Sequence, residues 1–178
     1  VTLTLGVCGL LVALFTAIPI GILAAMKEGT LIDRGVMMVA VIGQAMPSFW
    51  LGLILIITFG LKLGLLPISG VDDWTGFVLP SVVLAFAAIP AVMRLTRSGM
   101  VDALASDYIR TARAKGLSRA SIVLKHALRN AAMPVVSIAA VQLGFMLGGS
   151  IITETIFAVH GVGYLAWESI IKNDFPVV

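Results

Sequence analysis

Basic side chains are concentrated in one stretch of this 178-residue chain, between Arg94 and Arg129. Eight of the twelve Lys and Arg residues lie there with two of the nine Asp and Glu residues, so the stretch carries a net charge of +6. Guanidinium and ammonium groups pair with carboxylates and phosphates. The composition therefore favours contact with an anionic partner.

The other reactive side chains form no catalytic or metal-binding pattern. His126 and His160 are far apart, and neither belongs to a His-Glu-x-x-His or Cys-x-x-Cys sequence. Cys8 is the only cysteine, so no internal disulfide can form. No lysine follows a glycine, so a phosphate-binding G-x-x-x-x-G-K loop is missing. We predict no catalytic residue and no metal site, and we expect any nucleotide chemistry to take place on another chain.

Charged residues are absent from four long segments of the chain. They make up 12% of the whole sequence, whereas soluble domains carry about 25%. About 20 apolar residues are enough to cross the hydrocarbon core as a helix, and barrel strands would be shorter and alternating. A soluble enzyme, a disordered tail and a secreted disulfide scaffold are thereby excluded. We predict an all-α integral membrane protein with four spans, at about residues 1–26, 35–61, 74–93 and 130–153.

The charges between these runs predict the orientation of the chain. Lys and Arg accumulate in cytoplasmic loops, and successive loops alternate sides. We expect Lys27–Arg34 and Arg94–Arg129 to be cytoplasmic, Lys62–Asp73 and Glu154–Pro176 to be outside, and the N-terminus of this chain to face out.

The basic stretch has the periodicity of two helices joined by a sharp turn. One apolar stripe runs at helical spacing from Val101 to Ala112, and a second runs from Ala120 to Ala131. Gly116 suits the end of the first helix and Ser118 the start of the second. The members of the stripes are Val101, Leu104, Ala105, Tyr108, Ile109 and Ala112, then Ala120, Val123, Leu124, Ala127, Leu128 and Ala131.

These residues leave two functions open for the hairpin. It can enforce orientation while touching anionic lipid headgroups, or it can present a helix to a groove on a soluble subunit. A nucleic-acid-binding helix-turn-helix is disfavoured because the hairpin is tethered to a span at each end.

A few uncharged polar residues lie in or near the spans. Such groups usually face the bundle interior, so we expect lining of a pathway or, equally, ordinary interhelical hydrogen bonds. The candidates are Gln44, Ser48, Gln142 and Ser150. Pro19, Pro47 and Pro90 fall within the spans, and each predicts a kink. Small residues at four-residue spacing, among them Gly21 and Gly144, predict close helix contacts.

The segment from Glu154 to Pro176 predicts a short amphipathic helix outside the membrane. Its stripe consists of Val162, Leu165, Ala166, Ser169 and Ile170. We expect this segment to form part of an outer gate or the footprint of a binding protein.

Several strings resemble the permeases of bacterial ABC importers, most closely the dipeptide, oligopeptide, nickel and glutathione branch. The most specific is residues 107–118, DYIRTARAKGLS, and the others are 124–131 (LKHALRNA), 148–151 (GGSI), 154–157 (ETIF), 161–163 (GVG) and 174–178 (DFPVV). The general Glu-Ala-Ala loop signature of that family is only partly kept, since Arg110, Thr111 and Ala112 stand at its three positions. His160 stands where that branch has proline.

The resemblance implies a type I ABC-transporter transmembrane domain over residues 1–178, incomplete by one span before Val1 and most of one after Val178, with residues 94–129 as its cytoplasmic coupling loop. It implies a location in the bacterial inner membrane, a homologous second permease subunit, two ATPase subunits that handle ATP and Mg²⁺, and an extracytoplasmic binding protein, with no cofactor on this chain and no nucleic acid. It assigns contact with the ATPase to Asp107, Tyr108, Arg110, Thr111, Ala112, Arg113, Lys115, Gly116, Leu117 and Ser118. A channel or membrane scaffold that does not use ATP is the alternative.

Overall fold

The computed structural model describes residues 1–71 and 73–174, and these residues form helices and loops with no strand among them. The α-helices are α1 (Thr2–Met26), α2 (Leu31–Ala45), α3 (Ser48–Leu55), α4 (Val78–Ala105), α5 (Asp107–Ala114), α6 (Arg119–Ser121), α7 (Leu128–Gly149), α8 (Ile151–Ile156) and α9 (Val162–Ile171). Two π-helical segments, Ile56–Lys62 and Ile122–Ala127, continue α3 and α6, and a 3₁₀ turn, Trp74–Phe77, precedes α4.

Three continuous helical stretches are long and apolar enough to cross a membrane: Thr2–Met26, Trp74–Ala105 and Arg119–Gly148. A bent pair, Leu31–Ala45 with Ser48–Lys62, makes a fourth if it is counted as one span. The helical architecture predicted from the sequence is thus present, and the run at 35–61 is the one that is not a single straight helix.

The break in that second run lies at Pro47. The two helices on either side of it differ in direction by 96°. Proline has no amide hydrogen to donate and keeps the preceding residue out of the helical region, so the hydrogen-bond ladder stops there. The kink predicted at Pro47 is therefore a sharp bend, whereas the predictions at Pro19 and Pro90 fall inside α1 and α4, which both continue as helices through the proline.

The ends of the third and fourth spans differ from the prediction. The third helix does not end at residue 93 but continues to Ala105. Charged side chains beyond residue 93 do not end the helix, because long side chains can extend their charged groups into water. The fourth helix ends at Gly149, and a new helix begins at Ile151. Two consecutive glycines before Ser150 weaken the helix at that point.

The chain folds as two compact units. One consists of Val1–Ala13, Gly43–Ala88 and the described residues from Val141 onward, and the other of Leu14–Ile42 and Ile89–Ala140. In the first unit an apolar cluster of Leu79, Val83, Phe157 and Val159 holds the loop after α8. The amide of Gly70 donates to the carbonyl of Phe157 over 2.9 Å, which ties a second loop to the same place.

The second unit contains the basic hairpin, and its long helices approach one another closely at two glycines. A Cβ atom on Gly21 would lie 2.8 Å from the Met93 carbonyl oxygen, and one on Gly99 would lie 3.3 Å from the Ala131 Cα atom. The predicted close contact of Gly21 is confirmed. A Cβ atom on Gly144, in the other unit, would meet no atom of the described residues within 4 Å, so the contact predicted for Gly144 is not made among them.

Candidate functional site

The basic hairpin is closed by a glycine in the left-handed conformation. Gly116 has φ +75°, and its amide donates to the Arg113 carbonyl over 3.0 Å, while the Leu117 amide donates to the Ala112 carbonyl over 3.3 Å. This pair of bonds is a Schellman motif, which satisfies the last carbonyls of a helix. The Ser118 hydroxyl oxygen then accepts from the Ser121 amide, so the next helix begins with a side-chain cap. The predicted turn and cap are both confirmed.

The first predicted stripe does not lie on one helix, because the chain breaks at Ser106. That residue is extended, with ψ 156°, and its hydroxyl donates to the Ala103 carbonyl. A serine that bonds its neighbouring backbone competes with the helix ladder. The break turns α5 away from the axis of α4, so Ile109 and Ala112 are buried but Ala105 and Tyr108 are exposed.

The second predicted stripe is shifted by a π-helical turn. Ile122, Val123 and Ala127 are buried in the segment Ile122–Ala127, whereas Ala120 and Leu124 are exposed. A π-turn bonds residues five apart instead of four and so rotates the following side chains. Ile122, which the prediction left out, joins the buried cluster with Ile109, Met100 and Ile22.

The face of the hairpin opposite this cluster is polar and exposed. Asp107 and Arg110 form an ion pair of 3.2 Å in which both side chains are largely in solvent, and such a pair adds little stability. Of the residues predicted to contact an ATPase, only Ala112 is buried. The exposed ones are Asp107, Tyr108, Arg110, Thr111, Arg113, Lys115, Gly116, Leu117 and Ser118.

An ion pair that the sequence analysis missed joins α2 to α4 in the same unit. Arg97 contacts Asp33 through two hydrogen bonds, and the bond from Nη2 to Oδ2 is 2.6 Å. The Asp33 side chain is only 6% exposed and also accepts from the Gly29 amide. The two residues are 64 positions apart, so no local pattern pairs them.

The predicted pathway residues are brought together in part. Ser48 and Gln44 line one cavity of about 130 Å³, and Ser48 and Gln142 line another of about 140 Å³. Ser48 is therefore shared by the two. Ser150 lies in neither cavity, since its hydroxyl donates to a carboxylate.

That carboxylate belongs to Glu154, which is completely buried although the sequence places it at the start of a polar loop. Its Oε1 accepts from the hydroxyls of Thr2 and Ser150, and its Oε2 accepts from the Tyr164 amide, each over 2.8 Å. The Thr2 hydroxyl in turn accepts from the Val162 amide. Three donors from separate segments thus stabilise one carboxylate, and the glycine-rich string at 161–163 is the only sequence signal of such close packing.

Helix α9 forms where predicted, but Ser169 is the one member of its predicted stripe that is buried. Gly163 and Ser169 are buried, while Val162, Leu165 and Ile170 are exposed. The cause is the carboxylate beneath: a Cβ atom on Gly163 would lie 3.0 Å from Glu154 Oε2, so the helix packs through its small residues. On the exposed side Lys172 donates to Glu168 and lowers the pKa of that carboxyl. Residues 175–178 of the predicted string 174–178 lie outside the described residues.

Comparisons with known proteins decide the family. The family model described as "Binding-protein-dependent transport system inner membrane component" matches residues 17–178. The chain belongs to this family. Its helices are therefore those of an inner membrane component, as the resemblance predicted. Residues 1–71 and 73–174 contain no group of three or more His, Cys, Asp or Glu side chains that could hold a metal ion.

The relatives in this family are named as peptide and glutathione permeases. The chain is 40% identical to the di/tripeptide transport system permease protein DppB of Pseudomonas aeruginosa, with 99% of this chain and 61% of that protein aligned. It is 44% identical to the glutathione transport system permease protein GsiC of Escherichia coli, with 99% and 58% aligned. The chain thus spans about three fifths of the length of these relatives.

The fold is also that of a solved transporter. A chain from an inward-facing form of the MetNI methionine ABC transporter superposes with a TM-score of 0.76, covering 94% of this chain and 76% of that one at 21% identity. The prediction of a helical domain like that of an ABC importer is confirmed.

Proposed function

We propose that this chain is the membrane-spanning permease subunit of an ATP-driven importer for peptide-like substrates. In this proposal an extracytoplasmic binding protein delivers the substrate, a second homologous permease completes the pathway, and two cytoplasmic ATPase subunits bind ATP and Mg²⁺. The names of the relatives, which are dipeptide and glutathione permeases, support the substrate class.

The hairpin is the observation that carries the proposal. Helix α5 is anchored by Ile109, which is fully buried, and is closed by two backbone bonds at Gly116, while its opposite face is polar and exposed. We expect a short helix held in this way to move with the ends of α4 and α7 that pack in the same cluster when its exposed face is pushed. Coupling through residues 107–118 therefore needs no deformation of the helix itself.

The orientation follows from the same charge distribution. We place the hairpin and the loop at Lys27–Arg34 in the cytoplasm and the N-terminus of this chain outside, because Lys and Arg accumulate on the cytoplasmic side. The segment around α9 then lies outside, where its exposed apolar residues and Glu168 are available to a binding protein.

Gln44, Ser48 and Gln142 are the proposed pathway residues. Two neighbouring cavities share Ser48, and amide and hydroxyl groups are the uncharged donors and acceptors that a peptide backbone requires. Ser150 is not included, because its hydroxyl donates to the Glu154 carboxylate.

Reconstitution of the full complex in proteoliposomes tests the function. We expect ATP-dependent uptake of a labelled dipeptide or of glutathione that requires the binding protein, and no uptake with a non-hydrolysable ATP analogue. Uptake independent of ATP and of the ATPase subunits would instead support a channel.

A further inference from the structure

A cavity of about 490 Å³ lies between the basic hairpin and the end of α1. Its apolar lining includes Met26, Leu104, Ile122 and Val123, and among the described residues the charged ones that line it are Arg113 and Arg119. A lining of apolar side chains together with two arginines is suited to an amphiphile with an anionic head.

The two arginines are available for such a ligand. Both side chains are exposed, and within residues 1–71 and 73–174 neither forms an ion pair with a carboxylate. Arg97 and Arg110, by contrast, are each paired with an aspartate. Guanidinium binds phosphate through two parallel hydrogen bonds, which makes arginine the side chain best suited to a phosphate ester.

The cavity also lies at the depth where lipid headgroups are found. Met26 is the last residue of α1, an apolar helix of 25 residues. At 1.5 Å per residue such a helix is longer than the hydrocarbon core, so its last turn reaches the headgroup region. Basic pockets between membrane helices at this level bind anionic headgroups.

We propose that this cavity binds the headgroup of an anionic phospholipid, with Arg113 and Arg119 on its phosphate and the acyl chains passing along the end of α1. The cavity takes two of the residues of the 107–118 segment, Arg113 and Leu117, whereas Asp107, Arg110 and Lys115 do not line it. Within the proposed coupling segment, Arg113 is thereby assigned to lipid, and contact with the ATPase is left to the exposed residues that do not line the cavity. The proposal does not rest on the transport function.

Lipid binding to the purified membrane complex tests it, with phosphatidylglycerol as the probe and phosphatidylcholine as the neutral comparison. We expect saturable binding of phosphatidylglycerol that the double variant R113Q/R119Q weakens about 30-fold, on the order of 1 kcal/mol for each basic residue. The double variant K125Q/R129Q removes the same charge from exposed positions outside the cavity, and it should weaken binding less than 3-fold, a bound of about 0.7 kcal/mol.

The single variant R119Q guards against misfolding of the double variant and should weaken binding about 5-fold. Equal binding of the two lipids, or equal losses in the two double variants, overturns the proposal. So does a complex of R113Q/R119Q that loses its ATPase subunits but binds phosphatidylglycerol as the wild type does, since the cavity would then be a subunit contact.

Discussion

Substitutions of Gly116 distinguish two possible requirements at the hairpin turn: a left-handed backbone and the absence of a side chain. The residue has φ +75°, and a Cβ atom there would meet nothing within 4 Å. The Cβ atom of a leucine therefore meets no neighbour, and the expected cost is that of the left-handed backbone, roughly 1–2 kcal/mol for an L-residue. Asparagine is the matched control, because it adds a side chain of similar size but visits this conformation readily.

The strained backbone weakens the two backbone hydrogen bonds that close the turn, from the Gly116 amide to the Arg113 carbonyl and from the Leu117 amide to the Ala112 carbonyl. A loss of 1–2 kcal/mol corresponds to an increase of about 5–30-fold in the opened population, which amide exchange reports directly. We expect hydrogen–deuterium exchange of the hairpin peptides to accelerate by this factor in Gly116→Leu, with substrate-stimulated ATPase activity reduced in parallel. The Gly116→Asn protein should stay within about 3-fold of the wild type in both measurements.

Exchange in Gly116→Leu at the wild-type rate would refute this reasoning. Equal acceleration in the leucine and asparagine proteins would also refute it, since the effect would then follow the presence of a side chain rather than the sign of φ.

Three further substitutions test the packing around the hairpin and the buried carboxylate. Asp33→Asn removes the nearer charge partner of Arg97 and leaves Glu28 at 4.0 Å, so it should cost up to about 3 kcal/mol. We expect a lower thermal midpoint of the solubilised protein that the swap D33R/R97D partly restores, and no change would contradict the role of the pair. Glu154→Gln leaves fewer acceptor lone pairs for the three donors and should cost about 1–3 kcal/mol. A cysteine placed at Ser169 should then react with maleimide at least about 5-fold faster than the same cysteine with Glu154 intact. Unchanged labelling would count against the hydrogen-bond network around Glu154. Gly21→Ala should destabilise by about 1–3 kcal/mol through overpacking. Gly144→Ala, inside α7 with open space around it, should raise the thermal midpoint slightly, because alanine favours a helix over glycine by up to about 1 kcal/mol. Similar midpoints for the two variants would show that the close contact of α1 is not tight.

The features that the sequence predicts well are those written in neighbouring residues. The charge-free runs predict the long helices, Gly116 predicts the end of α5, and Ser118 predicts the cap of α6. Each depends on backbone chemistry within a few positions, where residue type limits the conformation directly.

The breaks inside predicted elements could not be obtained in this way. A period of 3.6 continues without interruption through Ser106 and through the segment at 122–127, yet the chain bends at the first and adds a π-turn at the second. Each change is accompanied by the burial of an isoleucine, Ile109 or Ile122, in a cluster that also contains residues of α1 and α4. Tertiary packing therefore overrides a local pattern that was itself correct.

The buried polar groups are the least predictable, because their partners are remote. Glu154 meets Thr2 across 152 positions, and Asp33 meets Arg97 across 64. An acidic residue is almost never fully buried unless it is paired, so each was expected at the surface. Only the three-dimensional neighbours, which supply the donors, offset the cost of removing each carboxylate from water.

Cross-linking between the hairpin and the ATPase subunit tests the central claim most directly. A cysteine at Arg110, on the exposed face of α5, and a control cysteine at Leu65, which is exposed in the loop before the 3₁₀ turn, would each carry a photoreactive maleimide in the complete complex. The account predicts an adduct with the ATPase from position 110 and none from position 65. An adduct from neither position, or labelling of position 110 only from the outer side of the membrane, would contradict it.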